Sequence, residues 1–252
     1  MFADLAFDIA LLLLAAAFLA GFVDSIAGGG GLITVPALLL AGFSPVEALG
    51  TNKLQGLFGA GSATIAYASK GHVDLKRQLP SAALSFLGAA AGAALATVLP
   101  GELLRAALPA MLIAIALYFA VAPRLGDADS RARLRFPIWV PVMGFCIGFY
   151  DGLFGPGTGS FLTMGFVTLF GLGLTRATGH TKVLNLMSNL GALVVFVLAG
   201  DVVWPAAIAM AIGQLAGGYI GARTGIRFGA RLIRPLIIIV SVILALRLLL
   251  FP

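Results

Sequence analysis

Charged residues are scarce in this sequence, and their scarcity limits the kind of protein it can form. Only 10% of the 252 residues are Asp, Glu, Lys or Arg, whereas 60% are hydrophobic. Soluble domains carry about 25% charged residues, and a chain of this length cannot bury so much apolar surface in water. Apolar runs near the ~20-residue span of a bilayer recur along the chain. The composition therefore predicts an all-α polytopic membrane protein.

The sequence also has little that could bind a metal or carry out catalysis. A single cysteine, Cys146, excludes an intrachain disulfide, and the two histidines stand apart in the sequence. These residues make no metal-ligand pattern. No motif of a serine hydrolase, zinc protease or P-loop nucleotide-binding protein occurs. We therefore expect no catalytic residues, no metal and no cofactor.

The net charge of +6 comes from clustered cations. Three short segments between apolar runs hold most of the basic residues: Lys70, Lys76, Arg77; Arg124, Arg131, Arg133, Arg135; Arg223, Arg227, Arg231, Arg234. Such clusters are typical of cytoplasmic loops under the positive-inside rule. The charge therefore predicts topology, with these loops cytoplasmic, and no nucleic-acid partner.

The apolar runs predict eight long transmembrane helices and two short segments. The long runs cover about 5–23, 54–69, 79–99, 103–122, 137–150, 183–200, 202–222 and 232–250. The shorter stretches, 32–43 and 161–174, follow glycine clusters, so we expect half-helices, re-entrant segments or parts of broken helices there. A basic cytoplasmic linker, 123–136, would separate a first membrane repeat, 1–122, from a second, 137–252.

Two motifs recur across the linker. GFVDSIAGGGG (21–31) is echoed by GFYDGLFGPGTGS (148–160), and ALGTNKLQ (48–55) by ATGHTKVL (177–184). With the basic loops cytoplasmic, the two copies must cross the membrane in opposite directions. The sequence thus predicts an inverted repeat, which is common in secondary transporters that bind substrate near the middle of the membrane.

The glycine clusters are candidates for an anion site. Glycine and proline are poor helix formers, so each cluster should interrupt its helix and leave free backbone N–H groups where the next helix begins. The candidate substrate-binding residues there are Gly28, Gly29, Gly30, Gly31, Gly157, Thr158, Gly159 and Ser160. The alternative is that these glycines only permit close helix packing, as Gly88, Gly92, Gly217, Gly218 and Gly221 do in our interpretation.

Lys53 and Lys182 stand in apolar surroundings, where a lysine is costly. Polar residues surround both and complete the candidate substrate site: Thr51, Asn52, Gln55, His180, Thr181, Asn185 and Asn189. The leading hypothesis is that the two lysines form a cationic pocket for an oxyanion. Two alternatives remain: the lysines reach a membrane surface, or they form ion pairs with Asp24 and Asp151. The same aspartates could instead couple transport to H+ or Na+ movement.

Four segments resemble the TauE/SafE sulfite exporter family, also called the toluene sulfonate uptake permease family, and its YfcA-like branch in particular. They are GFVDSIAGGGGLITVPALL, ALGTNKLQ, GFYDGLFGPGTGSFLT and RATGHTKVLNLMSNL. The resemblance implies a transporter of the bacterial inner membrane that moves sulfite or organosulfonates such as sulfoacetate. The second cluster departs from the commoner all-glycine form at Pro156, Thr158 and Ser160.

We therefore expect a secondary transporter for a small anion, working by alternating access at the repeat interface as a monomer or homodimer in the lipid bilayer. An H+- or Na+-coupled cation carrier using Asp24 and Asp151 is one alternative. A non-transporting membrane scaffold is another.

Overall fold

The computed structural model describes residues 7–104, 106–108, 110–111 and 127–228. In the residues that the structure describes, the secondary structure is helical, and eight α-helices have defined bounds. The helices are α1 Phe7–Ala27, α2 Gly31–Leu40, α3 Pro45–Ser69, α4 Leu75–Val98, α5 Phe136–Leu153, α6 Thr158–Thr168, α7 Leu174–Ala199 and α8 Trp204–Phe228. The predicted span 232–250 lies outside the described residues, as does most of 103–122.

Five of these helices are long and apolar enough to cross a membrane, namely α1, α4, α5, α7 and α8. The third helix is 25 residues long but does not reach the same hydropathy, since it carries Asn52, Lys53 and Gln55. The short segments α2 and α6 have only 10 and 11 residues. Each is about half the length a bilayer requires, as their glycine-bounded sequences predict.

The start of α3 differs from the sequence prediction. The helix begins at Pro45, because Ser44 caps it: Ser44 Oγ accepts from Glu47 N, and Glu47 Oε2 accepts from Ser44 N at 2.9 Å. Proline at the first helical position and this reciprocal capping both favour a helix start. Lys53 consequently lies more than two turns inside α3. The equivalent helix α7 begins at Leu174, so Lys182 is also internal.

Glycines allow two helix pairs to touch backbone to backbone. On α8, a Cβ added to Gly213 would lie 2.3 Å from Leu14 O of α1, and one on Gly217 would lie 2.0 Å from Phe18 O. On α4, Gly88 and Gly92 approach α5 equally closely. The close packing predicted for Gly88, Gly92, Gly217, Gly218 and Gly221 is confirmed.

The contacts also define helix directions. Gly50 of α3 meets Asp201 just after α7, Gly56 meets Asn189, and Gly61 meets Leu186. Residue numbers rise along one helix as they fall along the other, so α3 and α7 are antiparallel. On α8, Gly213, Gly217 and Gly221 meet Leu14, Phe18 and Phe22 of α1 in turn, which makes those two helices parallel.

The described end of the central linker is hydrogen-bonded to the rest of the protein. Ser130 N donates to Gly171 O at 2.8 Å, and Arg133 N donates to Leu169 O at 2.9 Å. Gly173 N donates to the Asp129 carboxylate at 2.7 Å. Residues 127–135, the described end of the linker, are therefore mostly exposed but held against the connection between α6 and α7.

Candidate functional site

The two glycine clusters meet each other in the interior. Gly28 follows α1 with a φ of +80°, and a Cβ added there would lie 2.3 Å from Gly159 C. Ser160 N donates to Gly28 O at 3.0 Å, and Ser160 Oγ donates to Ala27 O at 2.7 Å. Only glycine combines this left-handed φ with so close an approach. Both predicted uses of the glycines, chain interruption and close packing, are thus present together.

Lys53 is fully buried and pairs with an aspartate from the other half of the chain. Its Nζ lies 2.9 Å from Asp151 Oδ1 and also donates to the backbone carbonyl of Asp151. Two hydroxyls donate to the same carboxylate: Thr158 Oγ1 to Oδ1 at 2.9 Å and Ser188 Oγ to Oδ2 at 2.5 Å. The Asp151 side chain is 3% exposed. This pair is therefore almost fully buried, and three side chains donate to its carboxylate.

Lys182 makes the reciprocal pair. Its Nζ lies 2.8 Å from Asp24 Oδ2 and donates to the Asp24 carbonyl. Gly30 N donates to Asp24 Oδ1 at 3.1 Å. The lysine is 0% exposed, whereas the Asp24 side chain is 13% exposed. Burial of both lysines rules out the interpretation that they extend to a membrane surface, and the ion-pair hypothesis is the one that the geometry supports.

The two ion pairs lie on opposite sides of the point where α3 and α7 cross. Gly56 contacts Asn189 near the middle of both helices. Lys53 precedes Gly56, and Lys182 precedes Asn189, but the helices run in opposite directions. The pairs therefore flank the crossing from opposite sides.

A small polar cavity of about 30 Å³ lies at this crossing. It is lined by Asp24, Gly28, Gly31, Asn52, Gln55, Gly56, Asp151, Gly155, Gly157, Thr158, Gly159, Asn185, Asn189 and Gln214. Both halves contribute, and most of the lining residues belong to the predicted site. A volume of this size can hold one or two water molecules or a small ion.

Amide side chains form the polar walls. Gln55 Nε2 donates to Asn52 Oδ1 at 2.6 Å and to Thr34 Oγ1 at 3.2 Å. Across the cavity, Asn189 Nδ2 donates to Asn185 Oδ1 at 2.8 Å. Within the described residues, Gln55 Oε1 and Gln214 Oε1 are buried without a hydrogen-bond partner. Buried amide oxygens normally have a partner, so these two require an explanation.

Several predicted site residues do not reach the cavity. Thr51 Oγ1 accepts from Val203 N at 3.1 Å, and Thr181 Oγ1 accepts from Thr163 at 3.0 Å. His180 Nδ1 lies 3.1 Å from Gln78 Oε1, between aromatic rings. Gly29, Gly30, Ser160 and the two lysines support lining residues but do not line the cavity themselves.

Sequence reasoning missed Gly56, Gly155 and Gln214. Gln214 lies on α8, outside the repeated motifs, and a Cβ added to Gly59 would lie 2.5 Å from its Cγ. The signal available was a polar residue in the otherwise apolar run AIGQLAGG. An amide in such a run is costly unless it has a role in the protein interior.

Comparison with known proteins defines the class of this protein. The model of the Sulfite exporter TauE/SafE family matches residues 13–248, so the chain belongs to that family. It is therefore a membrane transporter and not an enzyme.

Three curated relatives carry transporter names. "Probable membrane transporter protein ORF9" of Sinorhizobium sp is 55% identical, over 99% of this chain and 95% of the relative. "Probable membrane transporter protein YfcA" of Escherichia coli strain K12 is 46% identical, over 92% and 87%. "Probable membrane transporter protein" of Haemophilus influenzae is 41% identical, over 94% and 93%. No solved structure gives a significant match.

Proposed function

We propose that this transporter moves small anions, namely sulfur oxyanions or organosulfonates, by alternating access at the interface of two inverted repeats. The observation that carries the proposal is that two buried ion pairs, Lys53–Asp151 and Lys182–Asp24, lie on either side of one polar cavity. Each pair joins the first half of the chain to the second. If the two halves separate on one side of the cavity, the ion pair on that side breaks and the pair on the other side can stay in place.

The arrangement of helices supports the inverted repeat. Each described element from α1 to α4 has a counterpart of similar length from α5 to α8. The third helix of the first half, α3, is antiparallel to its counterpart α7. Inverted halves that meet at a central site are a frequent architecture for alternating access.

Backbone donors at the cavity suit an anion. Gly31 and Gly159 line it, and each lies at the start of a short helix, α2 or α6. Among the described residues, neither N–H group has a hydrogen-bond acceptor. Free N–H groups at the positive end of a helix dipole bind oxyanions well. A lysine that leaves its aspartate would add a cation to the same ligand.

We further propose that the protein lies in the bacterial inner membrane with its basic loops in the cytoplasm, as a monomer or homodimer. Lys70 follows α3, while Arg223 and Arg227 end α8, and the contacts of Gly59 and Tyr67 with α8 make these two helices parallel. Arg77 lies over the Phe136 ring at the start of α5, 4.8 Å from its centroid. Three basic segments thus gather at one end of the protein, as the positive-inside rule requires of a cytoplasmic face.

One observation favours a second candidate function, a cation carrier. Asp24 and Asp151 line the cavity, whereas the lysines do not. In such a carrier the lysines would be dispensable and the aspartates would not.

The test is a thermal-shift and uptake comparison on purified, reconstituted protein. Sulfite, sulfoacetate, sulfate and lactate are offered to wild type, Lys53→Gln, Lys182→Gln and the control Lys70→Gln, which makes the same change at an exposed lysine without an ion pair to either aspartate. A ligand that binds only the native state raises its Tm. We expect one class of anion to stabilise and enter with wild type and Lys70→Gln but not with the other two. Asn189→Ala serves as a cavity variant if a lysine variant does not fold.

Anion transport that survives both lysine changes would contradict the proposed site. Cation transport that fails only with Asp24→Asn and Asp151→Asn would establish the second candidate instead.

A further inference from the structure

The charges around the cavity sum to zero, and this has a consequence for any anion that binds there. Lys53 and Lys182 are each matched by one aspartate, and all four groups lie at or beside the cavity. An incoming anion would leave one uncompensated negative charge in a region of low dielectric, which is strongly unfavourable. A cation must therefore bind together with the anion. This step rests on the proposed function.

A proton on an aspartate is not the cation that the hydrogen bonds favour. Both oxygens of Asp151 accept hydrogen bonds, from Lys53 and Thr158 at Oδ1 and from Ser188 at Oδ2. Both oxygens of Asp24 also accept, one from Gly30 N and one from Lys182. Protonating either carboxylate would remove the negative charge that faces its lysine and so weaken the ion pair, whereas an external cation leaves both pairs charged.

The cavity instead offers oxygen acceptors that nothing in the described chain uses. Gln55 and Gln214 are 1% and 2% exposed, both line the cavity, and each has a side-chain oxygen without a partner. The Gln55 amide nitrogen is already committed to Asn52 and Thr34, which leaves Oε1 as its free group. Two buried acceptors without donors indicate a missing electropositive ligand.

The two glutamines lie close together on the same side of α3. Gln214 reaches from α8 across Gly59, which is one turn after Gln55 on α3. Residues four apart share a helix face, so both amides border the same part of the cavity. Asp24, the more open of the two aspartates, lines the cavity as well. A volume of about 30 Å³ fits a small monovalent cation with little or no water.

We propose that this cavity binds a sodium ion that is carried together with the anion. Gln55 Oε1 and Gln214 Oε1 are its neutral ligands, and the Asp24 carboxylate is its counter-charge. Backbone carbonyls of interrupted helices coordinate sodium in inverted-repeat transporters, and a side-chain amide oxygen offers a hard cation the same kind of ligand. One sodium ion and one singly charged anion then enter as a neutral unit.

The test measures sodium binding first, without any sulfur anion and with chloride as the common anion. The Tm of purified wild type is recorded in NaCl, KCl and choline chloride at one ionic strength. We expect a saturable rise in sodium alone. Gln214→Leu and Gln55→Leu should abolish the rise. The matched control is Gln78→Leu, since Gln78 is equally buried but lies outside the cavity.

The second arm measures anion uptake by reconstituted wild type, which does not depend on the folding of any variant. We expect uptake to be faster with an inward sodium gradient than with potassium, and sodium to raise the apparent affinity for the anion about tenfold, a typical coupling between two ligands. Anion uptake that ignores sodium but follows a pH gradient would overturn the sodium site and leave the proposed function intact. Sodium binding without any anion uptake would overturn the proposed function while the sodium site stood. Equal Tm in all three salts overturns the inference directly.

Discussion

The two ion pairs at the cavity are built on the same plan but are enclosed to different degrees. Lys53–Asp151 is 0% and 3% exposed, and its carboxylate accepts from two hydroxyls in addition to the lysine. Lys182–Asp24 is 0% and 13% exposed, and its carboxylate accepts from one backbone N–H in addition to the lysine. A carboxylate with fewer fixed donors and more open surface loses less when its lysine leaves. We infer that the Lys182–Asp24 side separates more easily.

This difference has its origin in side chains that one half has and the other lacks. Ser188 of α7 has Gly59 at the equivalent place on α3, and Gln214 of α8 fills the space beside Gly59. In the second half, the serine at this position donates to Asp151. In the first half, the glycine at this position leaves room for the Gln214 side chain beside the cavity. A duplicated fold with unlike halves can favour one open state over the other.

Removing each lysine charge should have the largest effect and should separate the two pairs. Lys53→Met leaves Asp151 buried without its cation, for which we expect a loss of about 3–5 kcal/mol in the free energy of unfolding. Lys182→Met should cost about 1–3 kcal/mol, since water can reach Asp24. Reversible unfolding in detergent micelles measures both.

The double variant Lys53→Met/Asp151→Asn is the control, because it removes both charges and should recover part of the loss. Equal losses for the two single variants would contradict the inference that the Lys182–Asp24 pair separates more easily.

The contact between Gly28 and Gly159 can be disrupted without changing either ion pair. Gly28→Ala places a methyl group 2.3 Å from Gly159 C and also strains a φ of +80°, so we expect a loss of about 2–4 kcal/mol. Gly42→Ala is the matched control, with a φ of +91° and open space around the added Cβ. Strain alone should cost it about 1–2 kcal/mol. Similar losses, compared by thermal unfolding, would mean that the close contact contributes little.

The Ser188 hydroxyl, which donates to Asp151 of the more buried pair, should make a smaller contribution to the free energy of unfolding. Ser188→Ala removes a 2.5 Å hydrogen bond to a buried carboxylate, for which we expect a loss of about 1.5–3 kcal/mol. Ser62→Ala is the control, since Ser62 Oγ is also buried but donates to a neutral carbonyl, Gly59 O, at 3.0 Å. Its loss should be about 0.5–1.5 kcal/mol. If the two variants unfold alike, Ser188 does not account for the difference between the ion pairs.

The sequence predicted most of the cavity because its chemistry is concentrated in repeated motifs. Polar residues in apolar runs identified Asn52, Gln55, Asn185 and Asn189, and the glycine clusters identified where the chain is interrupted. The partner of each lysine could not be chosen in the same way. Lys53 and Asp151 are 98 positions apart, and only the crossing of α3 and α7 brings their regions together. The sequence favoured substrate binding by the lysines but could not exclude that they pair with the aspartates or extend to a membrane surface.

Two features were not predicted correctly from the sequence, namely the start of α3 and the role of Gln214. The capping residues Ser44 and Glu47 and the proline between them mark the start of α3, yet the apolar run begins ten residues later. The polar motif in between is helical because burial against α7 and α8 compensates for its composition. Gln214 was missed because it stands alone. Only packing against Gly59 brings it to the cavity.

The smallest expected effect is on the pH dependence of stability, and it distinguishes the turns that follow α3 and α7 at opposite ends of the protein. His72 lies in the first turn and Asp201 in the second, at equivalent places in the two halves. Burial, followed by the charge of Arg176, lowers the pKa of His72 below its ordinary value, although Asp127 opposes this. Burial, followed by the charge of Glu47, raises the pKa of Asp201 above its ordinary value.

These shifts predict opposite slopes of stability against pH. A histidine with a lowered pKa binds its proton less readily in the folded state, so stability should fall as pH decreases below about 6.5. An aspartate with a raised pKa stabilises the folded state in acid, so stability should fall as pH rises through about 4 and upward. His72→Asn should remove the first slope and Asp201→Asn the second, as measured by Tm between about pH 4 and pH 8 in a series of buffers. If either slope survives its own substitution, a different group is responsible for it.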